Sequence, residues 1–209
     1  LGARMLEKAY DNPLFSPKHL KKTFTDNDAR KVFAGLFHKN PANAEKDAVT
    51  NFAASLGLVS KSHPGEFNAA ECLSIARVKD YVGPEPDVPI ADVKAAFCRA
   101  PHALTDQMVM LFLFGMVKMG GCELSIKPNH GLMFTNGKAL SGDRLKSRVL
   151  GLLDWNTKLD KALLGARLVK SSQKGWNDIL PYARVLDETL KPVALPEEED
   201  TRNEELLHL

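Results

Sequence analysis

Five side chains in one short stretch have the chemistry to contact phosphate: Lys127, His130, Lys138, Arg144 and Arg148. Cations of this kind position a protein on a nucleic-acid backbone without reading base edges. A basic face is also, more simply, a solvated one. Two other constellations fail on spacing. Gly131, Gly137 and Lys138 resemble a phosphate loop, but five residues separate the glycines where four are needed. Ala139 also stands where a hydroxyl should hold magnesium. Cys98, His102, Cys122 and His130 would make a Cys2His2 zinc set, but such sites pair their ligands at shorter, more regular spacings. Cys122 alternates with Leu124 and Ile126, which marks it as core. No Gly-x-Ser-x-Gly and no His-Glu-x-x-His is present. The expectation is a chain with no catalytic constellation, no metal and no cofactor.

Composition narrows the class. The chain has 209 residues, 44% of them hydrophobic, enough for a true core. A net charge of +2 steers it toward no particular partner. Three cysteines do not make a disulfide framework, and no leader or membrane-spanning run is visible, so a reducing, cytoplasmic home is expected. The chain opens on Leu1, which suggests a piece of a longer protein. Charge is segregated late in the chain. Residues 138–174 hold nine basic and three acidic side chains, a balance of +6, and 175–209 hold three and nine, a balance of −6. Such asymmetry marks a contact surface for phosphate or an acidic partner, or a tail lying on its own basic helices.

The element that must position the five cations is the stretch Pro101–Thr135. Thr105 is a good N-cap and Asp106 meets the positive end of the helix dipole. Met108 to Val117 carries no charge, so this helix should be covered on all sides. It is too short to span a membrane, which takes about 20 apolar residues. The methionines Met108, Met110, Met116 and Met119 fit core spacing better than a pliable binding surface. Gly120 and Gly121 end the helix. Alternation from Cys122 to Lys127, a turn over Pro128 to Gly131, and the apolar pair Leu132 and Phe134 predict a tight β-hairpin. A helix pair followed by a hairpin is the winged-helix pattern.

The same order occurs earlier. Thr25 and Asp28 open a helix burying Val32, Phe33, Leu36 and Phe37. A second follows Pro41 with Ala48, Val49, Phe52 and Leu56 inward, Gly57 caps it, and a turn at residues 63–65 returns the chain through Phe67. Asn68 and Glu71 start a connecting helix to Val82, and Gly83 to Pro86 reads as a proline-stiffened linker. The expected fold is therefore mainly α: tandem winged-helix-like units with short β-hairpins, followed by a C-terminal helical bundle. In that bundle Ser141 caps a helix with Leu145, Val149, Leu152 and Leu153 inward. Asn156 caps one with Leu159, Leu163, Ala166 and Val169 inward, and a last helix runs past Tyr182 and Leu190. Trp155 and Trp176 sit at the joints. The units expected are a leader over 1–24, a first unit with connecting helix over 25–83, a second unit over 88–140, a helical region over 141–195 and an acidic tail over 196–209.

The stretch from Val88 to Ile126 resembles a segment of the large P-loop ATPase-like proteins of bacterial BREX-type phage-defence systems, which carry helical and winged-helix segments outside their nucleotide site. Only part of their Pro-Pro-Tyr-Gly signature remains, in Arg99 to Leu104, and their nucleotide motif is absent. The resemblance implies a non-catalytic interaction module of a larger phage-defence or DNA-transaction ATPase. Its partners would be other domains or proteins. The alternative is weakly sequence-specific DNA binding through the wing and basic helices. No membrane and no small-molecule substrate is indicated.

Overall fold

The computed structural model describes residues 24–60, 65–99, 101–127, 131–138, 143–155, 159, 163 and 165–171. His130, Ser141, Asn156, Trp176, the leader's helix, the helix through Tyr182 and the acidic tail lie outside them. Thr25 and Asp28 form the expected reciprocal cap at the start of α1 (Asp26–Phe37). The Thr25 amide donates to Asp28 Oδ2 at 3.0 Å and the Asp28 amide to Thr25 Oγ1 at 3.3 Å. One face of α1 buries Ala29, Val32, Phe33 and Phe37. Helix α2 (Asn43–Ala48) widens into a π-helical turn over Val49–Ala53, and Val49, Phe52 and Leu56 are buried as expected. Gly35 lets α1 and α2 touch, since a Cβ there would stand 2.7 Å from the Glu45 carbonyl oxygen. The first expected hairpin amounts to one bridge, Val59 to Phe67.

The connecting helix α3 (Leu73–Val82) begins later than expected. Asn68 Oδ1 accepts from the Ala70 amide in a local turn, and Cys72 stands at the cap without a capping side chain. Then follow β1 (Asp87–Pro89), α4 (Ile90–Phe97) and α5 (Asp106–Lys118). Thr105 Oγ1 accepts from the Met108 amide at 3.3 Å, the predicted cap. Every residue of α5 from Met108 to Val117 is buried. It packs against α1, α3, α4, β2 (Cys122–Ser125) and α6 (Ser147–Leu150). Phe33 of α1, Phe114 of α5 and Trp155 meet edge to face, with centroids 5.1 to 5.4 Å apart.

The sheet departs from expectation. Cys122–Ser125 does not return through Leu132 and Phe134. It pairs with β3 (Arg144–Leu145) on one side and β4 (Arg167–Lys170) on the other, and the antiparallel order is β1-β4-β2-β3. The segment after Gly131 closes on itself, the Phe134 amide donating to the Lys138 carbonyl at 2.8 Å, and Phe134 bridges Leu153. The helices expected over Leu145–Leu153 and Leu159–Val169 are corrected in the same way. The first is a two-residue strand and one short helix, with Leu152 exposed. The second gives way at Gly165 (φ 76) to β4. The reason is tertiary. Val88, Leu168, Leu124 and Leu145 line up in one row across all four strands and bury their side chains on the core side. That row covers more apolar surface than the local hairpin could. The stretch expected as a linker is pinned to it, since the Lys170 amide donates to the Pro86 carbonyl at 2.9 Å and Lys170 Nζ meets Glu85 at 2.7 Å. The described residues are thus predominantly helical with one small antiparallel sheet, and a single apolar cluster runs from Phe24 to Leu168.

Candidate functional site

The sheet presents a second row on the face opposite the core, with Pro89, Arg167, Ser125 and Arg144 in register. This places Arg144 beside Arg167, a cation that was read as part of a helix. Arg167 is already engaged: its Nε donates to Asp87 Oδ1 and a terminal nitrogen to the Asp87 carbonyl, both at 2.7 Å. The hydrogen bond from Arg167, then the charges of Arg167 and Arg144, hold the Asp87 carboxyl below its ordinary range. Arg144 thus faces a carboxylate as well as solvent. Lys127 is exposed, and its stem lies across Gly165, where a Cβ would stand 2.7 Å from Lys127 Cε. Lys138 is exposed on the closed turn, and Arg148 on α6. Sheet pairing brings together Arg144 and, through the Ile126 amide to the Asp143 carbonyl at 2.8 Å, the segment bearing Lys127. Lys138 and Arg148 belong to separate parts of the inserted segment.

The cysteines are chemically quiet. Burial pushes the Cys98 thiol up to about 12, reinforced by Asp106, whose Oδ1 accepts from Sγ at 3.3 Å. Burial, then the charge of Glu123, pushes Cys122 up to about 12. Glu123 is itself buried, with Ser171 Oγ donating to it at 2.8 Å and Lys146 Nζ at 3.9 Å. Among the described residues no three His, Cys, Asp or Glu side chains converge to hold a metal ion. No helix among them is long and apolar enough to cross a membrane.

Two features escaped the sequence. One is a cleft of about 370 Å³ between α1 and the inserted segment, lined by Arg30, Lys31, His38, Thr135, Asp154 and Trp155 among others. His38 Nε2 donates to the Leu153 carbonyl at 3.0 Å and ties its two walls together. Residues more than a hundred apart line it, so no local pattern signals it. The other is the corner between α4 and α5 with the flank of α3 beside it. The His102 ring stacks on Phe97 at 4.9 Å and 22°, and Phe97 meets Tyr81 edge-on at 5.7 Å. Desolvation, then the charge of Arg77, lowers the His102 pKa, so Arg77 faces this ring. Ala103 holds a left-handed φ of 51, and His102 Nδ1 is buried with no hydrogen-bond partner among the described residues. Leu73 and Tyr81 are 52% and 49% exposed. Their spacing with Arg77, four residues at each step, was the available signal.

Comparison with models of protein families, with curated proteins and with solved structures finds no match for this chain.

Proposed function

We propose that the chain is a non-catalytic interaction module built on a winged-helix-like core, of the kind carried by large bacterial phage-defence or DNA-transaction ATPases. The observation that supports this is the burial of α5. In a winged helix that reads DNA, the helix ahead of the wing lies in the major groove with polar side chains toward base edges. Here α5 holds that place in the chain order and is covered from Met108 to Val117. A helix enclosed by protein on every side has no face for bases. The order α3, β1, α4, α5, β2 fits the winged-helix reading, with β4 taking the return strand after a long insertion. The first unit has the helices of such a motif and a single bridge for a wing.

A second reading keeps some force because Lys127, Lys138 and Arg148 are exposed. With His130 and Arg144 they would supply weak, sequence-independent DNA contact. Fluorescence anisotropy of a labelled duplex across a salt series separates the two. The interaction module shows no saturable binding at physiological salt. Weak backbone contact shows binding at low salt that falls with a log–log slope of about −0.9 per neutralised phosphate. Tight binding at physiological salt that distinguishes one sequence from another would overturn the proposal.

A further inference from the structure

We propose that the flank of α3 bearing Leu73, Arg77 and Tyr81, with the His102 ring beside it, is a docking surface for an acidic amphipathic helix of a protein partner. This rests on the interaction-module reading and gives it a surface.

Four observations carry it. Leu73, Arg77 and Tyr81 succeed one another at four-residue steps, so they form one stripe along the helix, away from the buried Ile75, Val78 and Val82. Leu73 and Tyr81 are half exposed, although large apolar side chains at two turns' separation on one stripe are more than scattered surface residues. The Tyr81, Phe97 and His102 rings support one another, so the platform is preformed and loses little freedom on docking. The adjoining corner is held at a cost: a left-handed Ala103 and a buried, unpartnered His102 Nδ1. Strain of this kind gathers where a surface serves a purpose other than stability.

Arg77 selects the partner. It is exposed in the middle of the stripe and has no ion pair among the described residues. Covering Leu73 and Tyr81 removes water from the guanidinium between them. That desolvation is unfavourable unless a carboxylate replaces the water. The partner therefore brings apolar side chains at helical spacing with an Asp or Glu among them. A second copy of this chain fits poorly, because antiparallel pairing of two α3 stripes sets Leu73 on Tyr81 and Arg77 on Arg77. Nucleic acid fits poorly as well, since the stripe offers a single cation between two apolar groups.

The test replaces Tyr81 with the photocrosslinking residue p-benzoylphenylalanine in the full chain, expressed in its native cells. The same residue at exposed Leu152 is the control surface. The expected result is a polypeptide adduct at position 81 that maps to an apolar segment containing Asp or Glu. Arg77→Glu should reduce that adduct at least tenfold, and Lys in place of the partner's acid should restore it. Unchanged circular dichroism and melting of Arg77→Glu establish that the fold is intact. An adduct at 152 and none at 81 overturns the docking surface and leaves the module reading in place. Adducts at neither position overturn both. An adduct of twice the chain's mass, one to nucleic acid, or one indifferent to Arg77→Glu each overturns the acidic-helix partner.

Discussion

Phe112 has no exposed surface and lies in the middle of the covered helix α5. Phe112→Ala removes most of a ring from a site walled by other helices, so a cavity remains. The expected loss is about 3–5 kcal/mol in urea unfolding, and a loss below about 0.5 kcal/mol would place the residue at the surface. The thiols make a second residue-scale prediction. Cys98 and Cys122 hold their protons to about pH 12 in the folded chain, against a model value of 9.0. Iodoacetamide at pH 8 should therefore label them far more slowly in native than in urea-unfolded protein, the thiolate fraction differing by roughly a thousandfold. Equal rates would show that the thiols are not shielded. The same raised values set a direction for stability. The unfolded chain releases these protons near pH 9 and the folded chain near 12, so the contribution is intact below pH 9 and is lost as pH rises from about 9 to 12. The melting temperature should fall through that window.

Elements meet closely enough that single atoms decide whether they fit. A Cβ at Gly151, just after α6, would stand 2.7 Å from the Phe37 carbonyl oxygen at the end of α1. Gly151→Ala must push α6 off α1, and a loss of about 1–3 kcal/mol is expected by thermal or urea unfolding. Gly65→Ala meets nothing within 4 Å and carries only the cost of its positive φ, so the larger loss should be at 151. Most of the helical elements could be read from the sequence because their signals are local. The Thr25 and Thr105 caps, the charge-free run of α5 and the glycine stops each lie within a few residues of what they specify. The sheet could not be read this way. Arg167–Lys170 is four residues long, and Val169 also completes a helical series with Leu159, Leu163 and Ala166, so periodicity favoured the wrong element. Its partners are Asp87–Pro89 and Cys122–Ser125, and nothing in the spacing of RLVK names them. The five cations were visible as types, but Arg144's company was not. Asp87 and Arg167 reach it only through pairings that span the chain.

At the scale of the whole molecule, the parts are bound into one unit by that sheet and by the core cluster shared from Phe24 to Leu168. Unfolding in urea should therefore be a single transition, with tryptophan fluorescence and far-ultraviolet circular dichroism coinciding. Two separated transitions would show that the first helices melt independently of the sheet. The strand order has a further consequence for a chain being made on a ribosome. β4 lies between β1 and β2 but is synthesised after both. Until it emerges, β1 and β2 each present an unpaired edge where β4 will sit, and α5 lacks the row through Leu168 that helps to cover it. At translation rates of about 5–20 residues per second, the interval from β2 to β4 lasts roughly 2–8 s. The nascent chain is then exposed to strand pairing with its neighbours on the same messenger. Slow codons placed before Arg167 should lower the yield of folded protein, and the same codons placed after Ser171 should not.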